Sequence, residues 1–234
     1  MRTIASVCAL VACAHIGIWH LTKSELSAPE FSGQLASVSY TPFDGSAHPD
    51  SGTQTTVEQV TADLAAIAPV TRAVRTYSST GGSELIPEVA REFGLKVAVG
   101  AWIDKFEDRN ERELRAVVDL SRTYRNVNSV IVGNETIYRA DQTVDDLIKK
   151  IQRVKRSVSV PVSTGEIWNV WLEHPELVSA VDFIAAHVLP YWEGISEKEA
   201  LAQTLRIYNQ LREAYPGKRI VIAEFGWPSA GHNR

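Results

Sequence analysis

The sequence predicts an α/β fold of repeated βα units, and three observations carry that expectation. Seven short β-branched runs recur between Val38 and Val221 at a mean spacing of about 30 residues, the length of one βα unit. Several of these runs are apolar without alternation, as parallel strands covered on both faces are. No Gly-x-Gly-x-x-Gly and no phosphate-binding loop follows any of them. Alternation alone allows an open doubly wound sheet or a β/α barrel, and the missing glycine fingerprints remove the usual reason for the open sheet.

Residues 4–21, IASVCALVACAHIGIWHL, contain no Asp, Glu, Lys or Arg and are flanked by Arg2 and Lys23. Their length lies between a signal-peptide core and a spanning helix. We therefore expect residues 1–23 to form an uncleaved membrane anchor or a cleaved signal, and residues 24–234 to form one exported domain. Leu10-Val11-Ala12-Cys13 resembles a lipidation box, although apolar sequence continues beyond it. Both cysteines, Cys8 and Cys13, fall in this run, so the domain has no disulfide or thiolate chemistry.

Within the domain the expected strands are residues 36–40, 73–77, 95–103, 128–133, 160–163, 181–187 and 219–223. Helices are expected between them. Residues 56–68 place Val57, Val60, Leu64 and Ile67 on one face before Pro69, and residues 83–93 stop at Gly94. Thr143-x-x-Asp146 reads as a capping box opening a helix striped by Val144, Leu147, Ile148, Ile151 and Val154. Residues 196–215 end at Pro216-Gly217.

Composition excludes other classes. With 44% hydrophobic and 22% charged residues, the chain is neither disordered nor fibrous. A net charge of −4 offers no footprint for nucleic acid. His48, His174, His187 and His232 show no ligand spacing such as His-Glu-x-x-His, so no metal is expected. No Lys lies in the sixth strand to form a Schiff base, and no Ser sits in Gly-x-Ser-x-Gly. Gly81-Gly82 reads as a turn, and no cofactor is expected.

Polar and aromatic residues collect just past the strands. They are Tyr40, Phe43 and Asp44; Arg75 and Tyr77; Trp102 and Asp104; Asn134 and Glu135; Glu166 and Trp168; His187, Tyr191 and Trp192; Glu224 and Trp227. In a β/α barrel these ends share one face, where active sites lie. Carboxylates beside aromatic platforms suit sugar rings, which stack C–H faces on indole while their hydroxyls bond polar groups. Glu135 and Glu224 end the fourth and seventh strands, which face each other across a barrel mouth. Two carboxyls so placed meet the requirement of retaining glycoside cleavage. A single strand-end Glu is usually a solvated surface group, but two amid Trp, Tyr and Asn reverse that expectation.

Val132-Gly133-Asn134-Glu135 and Ala223-Glu224-Phe225-Gly226-Trp227-Pro228-Ser229 resemble the two signature strands of glycoside hydrolase family 17, the β-1,3-glucanase-like enzymes. Ser39-Tyr40, Val74-Arg75-Thr76-Tyr77 and Leu189-Pro190-Tyr191-Trp192 support the resemblance, which runs from about Leu35 to Ser229. It implies a (β/α)8 TIM-type barrel acting on β-1,3-glucan by hydrolysis or glycosyl transfer. Glu135 would be the general acid/base and Glu224 the nucleophile. Asn134 would hold the sugar 2-hydroxyl, Arg75 and Tyr191 would orient Glu224, and Trp227 would line the platform. Tyr40 would complete the substrate contacts, with Glu166 either joining them or serving a structural role. Burial would raise the Glu135 pKa, while Arg75 would favour ionised Glu224. The anchored arrangement also resembles parts of larger bacterial glucan-synthesis proteins, implying a glucan synthase as partner, with a silent glucan-binding fragment as the alternative. Seven strands and ten residues beyond Glu224 lead us to expect a truncated barrel lacking its eighth strand, with strands one and seven open-edged.

Overall fold

Continuous apolar runs become parallel strands here. The computed structural model describes residues 2–22, 32–43 and 55–228. Asp44, His48, Ser229 and His232, together with Lys23, lie outside the described residues. The chain divides into two units, residues 1–33 and 34–234. In the first, α1 (Arg2–Thr22) contains a stretch, Thr3–Leu21, long and apolar enough to cross a membrane.

In the second unit seven strands pair side by side in chain order, every pair parallel: β1 (Val38–Ser39), β2 (Ala73–Arg75), β3 (Lys96–Ala101), β4 (Val127–Asn134), β5 (Val162–Ile167), β6 (Ile184–His187) and β7 (Ile220–Glu224). Between them run α2 (Val57–Ile67), α3 (Ile86–Glu92), α4 (Glu107–Thr123), α5 (Val144–Lys155), α6 (Trp168–Glu173), α7 (Pro175–Ala180) and α8 (Glu197–Ala214). The result is a nearly closed β/α barrel. Thr56 caps α2 by accepting from the Gln59 N–H. Thr143 caps α5, its Oγ1 accepting from the Asp146 N–H at 3.2 Å as an N-cap does, while it donates to Asp146 Oδ2 at 2.8 Å in place of the return bond of a capping box.

The central strands bury two faces. Outward-facing Val74, Val97, Val99, Val130, Val132, Val162, Ile184 and Ala186 pack with Leu64, Ile86, Leu114, Leu147, Ile151, Leu177 and Leu211 of the helices. The alternate residues Ile131, Phe183 and Ala185, with Val221 and Ala223, form a smaller cluster inside the barrel. Side chains alternate along a strand, and here both sets are apolar.

Two register shifts decide which side chains reach the barrel mouth. On β6–β7, Ala186 pairs with Ile222 but His187 pairs with Glu224. The skipped residue puts Glu224 beside His187, which continues the inward series of Phe183 and Ala185. On β4–β5, Ile131 pairs with Ser163 but Asn134 with Gly165, turning Asn134 inward in the same way. Irregularities of this kind re-aim side chains next to active sites. The fifth strand corrects the expected boundaries: it starts at Val162 and runs through Ile167, so Glu166 lies within it. Ser163 ends the expected strand and Thr164 falls beyond it; Ser163 Oγ donates to the Phe183 carbonyl at 2.5 Å and both residues are buried.

Candidate active site

Arg75 is the centre of the site. Val74 faces the helices, so alternation along β2 sends Arg75 into the barrel. Its Nη1 donates to Glu224 Oε1 at 2.8 Å and to the Ala223 carbonyl at 3.2 Å, and its Nη2 donates to Asn134 Oδ1 at 2.7 Å. One planar guanidinium thereby ties β2, β4 and β7 together, which a point charge could not do. The Tyr77 ring lies 4.9 Å from Arg75 Cζ. Burial and the neighbouring Glu224 charge push the Tyr77 hydroxyl pKa up.

Glu135 follows β4 with φ +53°, a left-handed conformation that costs about 1–3 kcal/mol in a residue with a side chain. Neighbours hold it there. The Glu135 N–H donates to the Gly165 carbonyl at 2.6 Å, and Oε1 lies 2.8 Å from His187 Nδ1. The His187 side chain is fully buried, and its Nε2 lies 3.5 Å from Glu224 Oε1. Oxygens of Glu135 and Glu224 and a nitrogen of His187 fall within 4.8 Å of one another. The hydrogen bond from His187 holds the Glu135 carboxyl below the usual carboxylate range, outweighing burial, with His187, Arg139 and Arg75 charges adding to it. This corrects the expectation that burial would raise it, which took no account of His187.

Gly165 makes the cluster possible. A Cβ there would lie 2.7 Å from Arg75 Nη2 and 2.8 Å from His187 Nε2, closer than real side chains approach. Because Gly165 faces the interior, the adjacent Glu166 points the other way. Glu166 is wholly buried and accepts from the Ile137 N–H at 2.8 Å and the Tyr138 N–H at 3.4 Å. Glu166 thus clamps the turn that carries Glu135, the structural one of its two expected roles. Arg139 holds the same turn, donating to the carbonyls of Asn134 and Ile103 and lying 4.3 Å from the Trp102 ring.

Burial pushes the Glu166 pKa up to about 7, against the two backbone N–H bonds that lower it. The folded state therefore binds this proton more tightly than the unfolded chain. Stability from this group is full below the ordinary value and is lost as pH rises towards 7, an effect of about 3 kcal/mol. We expect the melting temperature to fall between pH 5 and pH 8, and to fall less in Glu166→Gln; equal slopes would refute the assignment.

The remaining expected contacts divide. Tyr40 is half-buried and its hydroxyl donates to Asp63 Oδ2 on α2 at 2.8 Å, directed at a helix. Tyr191 makes edge contacts with Trp192 and Trp227, centroids 5.2 and 5.4 Å apart. Trp192 and Trp227 are exposed, as a sugar platform requires. Trp168 instead donates to Glu193 Oε1 at 2.7 Å. Sequence reasoning missed the place of His187 between the two carboxyls. It also missed Glu113 of α4, buried and accepting from Ser78 Oγ at 2.6 Å, the Ser79 N–H at 2.9 Å and the Trp102 N–H at 3.2 Å, which organises the loop after β2. The three atoms of Glu135, His187 and Glu224 could contact a cation, but the Arg75 guanidinium already supplies the positive charge one would bring.

Residues 37–234 match the BtgE/BtgC glycoside hydrolase domain. The chain belongs to this family. Among BtgE/BtgC-type relatives, a probable glucan endo-1,3-beta-glucosidase btgC of Aspergillus fumigatus is 32% identical over 193 residues, 74% of this chain and 28% of that protein. The corresponding Aspergillus flavus protein is 30% identical over the same shares. This chain thus spans little more than a quarter of the curated relatives it matches. An active-site mutant of Rhizomucor miehei β-1,3-glucanosyltransferase, in complex with laminaritriose, has the same barrel: TM-score 0.75 and 28% identity over 85% of this chain and 74% of that one. The glycoside hydrolase family 17 resemblance in the two signature strands is thereby supported across the whole barrel unit.

Proposed function

We propose that this chain is a retaining glycosidase of β-1,3-glucan, resolving its covalent intermediate with water or with a second glucan. The observation carrying this reading is the approach of the Glu135 and Glu224 oxygens to within 4.8 Å. Retaining enzymes keep their carboxyls about 5–5.5 Å apart, whereas inverting enzymes leave room for water at about 6.5–9.5 Å. In the first step a Glu224 oxygen bonds the anomeric carbon, the glycosidic C–O bond breaks, and Glu135 gives its proton to the leaving oxygen. In the second step Glu135 takes a proton from the incoming hydroxyl as that oxygen displaces Glu224. With its oxygen engaged by Arg75, Asn134 offers its N–H donors to the sugar 2-hydroxyl. Tyr191, Trp192 and Trp227 form the platform. The names of the fungal relatives and the laminaritriose complex support the β-1,3-glucan assignment.

Incubation with laminari-oligosaccharides tests the proposal. Longer products mean transfer and only shorter ones mean hydrolysis. Binding without turnover, abolished by Trp227→Ala, would replace it with a glucan-binding module.

Residues 1–23 are proposed to direct export and to tether the domain to a membrane, which the length and composition of α1 support. Such a tether would place the domain beside a glucan synthase. The protein is expected in the membrane fraction after alkaline carbonate extraction, and its release into the soluble fraction would refute the anchor.

A further inference from the structure

We infer that His187 is the positioning residue of the acid/base: its Nδ1–H fixes one oxygen of Glu135, so that the other alone carries the proton to and from the glycosidic oxygen. The inference rests on the proposed role of Glu135. His187 is closed off from the barrel mouth by its own burial, with 0% of the side chain exposed, so it acts through Glu135 and not on the sugar. Nδ1 meets Glu135 Oε1 at 2.8 Å. Nε2 is buried without a hydrogen-bond partner among the described residues. It is packed against Gly165, where no side chain could stand. The ring therefore cannot swing away, and among the described residues its one hydrogen bond is to the carboxyl whose geometry matters.

The groups facing this pair come from four strands. Glu224 of β7 lies 3.5 Å from Nε2 and is itself bound by Arg75 of β2. The Tyr77 ring, after β2, lies 4.9 Å from the Arg75 Cζ. Arg139, after β4, favours the ionised Glu135, and the Glu135 charge raises the pKa of Glu166 on β5. Among them His187 makes the largest contribution to keeping Glu135 ionised, the form the second step needs as a base.

The experiment compares His187→Phe, His187→Asn and His187→Gln in the full chain, on laminari-oligosaccharides and on a dinitrophenyl β-glucoside, whose leaving group needs no proton. Asn can place an N–H near the position of Nδ1; Gln reaches towards Nε2. General acid/base assistance is worth about 10²–10⁴-fold. We expect His187→Phe and His187→Gln to lose roughly 10²-fold in kcat/KM on the oligosaccharide and less than about threefold on the dinitrophenyl glycoside. The basic limb of the kcat/KM profile should move to higher pH, because protonated Glu135 persists longer without its donor. His187→Asn should restore most of the activity. Equal losses on both substrates with an unmoved profile would reduce His187 to a structural residue and overturn the inference. If the wild-type chain turns over neither substrate, the enzymatic reading fails. The pair is then decided by carboxyl NMR titration of Glu135, which must rise in His187→Phe and remain low in His187→Asn.

Discussion

Replacing Glu224 by Gln is expected to lower turnover of laminari-oligosaccharides by about 10⁴-fold or more, the scale seen when a covalent nucleophile is removed. An amide oxygen still accepts from Arg75 Nη1, so the side chain keeps its place beside the Ala223 carbonyl. It lacks the charge that bonds the anomeric carbon. The Tyr191–Trp227 platform is untouched, so glucan binding should persist while chemistry stops. A variant retaining more than a few per cent of wild-type turnover would sink the assignment of Glu224.

Arg75→Ala is expected to damage both stability and rate. It leaves a carboxylate with 17% side-chain exposure without its cation and removes the donors to Asn134 Oδ1 and the Ala223 carbonyl. Breaking a buried pair from one side costs about 3–5 kcal/mol, which in a domain of this size lowers the melting temperature by roughly 10 °C. With Glu224 and Asn134 no longer held, kcat should also fall by about 10²-fold, since small misplacements of reacting groups have effects of that order. Arg75→Lys should recover part of the stability but little of the rate, because an ammonium cannot span both partners. Thermal unfolding at wild-type temperature in Arg75→Ala would refute this account.

The barrel was legible because its strands are apolar on both faces and its helices carry stripes and caps. Thr143-x-x-Asp146 and Pro69 marked real boundaries. The helix α4 was not, since EDRNERELRAVVDLSRT is dominated by charge and buries Asn110 and Glu113 along with Leu114 and Val117. The paired carboxyls could be read from their position after apolar strands. The partner of each could not: His187 lies 52 residues from Glu135 and Arg75 lies 149 from Glu224, and only strand register brings them together. Glu166 could not be decided between substrate contact and structure for the same reason. Position past an expected strand end at Ser163 suggested the barrel mouth, whereas β5 runs on to Ile167 and sets Glu166 in the wall.

The guanidinium that spans β2, β4 and β7 has a consequence for timing. In the proposed mechanism Glu224 would carry no charge while esterified to a sugar, so Arg75 would lose its counter-ion for the lifetime of that ester. The same covalent bond that stores the sugar therefore slackens a cross-brace between strands on opposite sides of the barrel. The mouth is least tightly tied during the interval in which a spent leaving group must depart and a new acceptor must arrive.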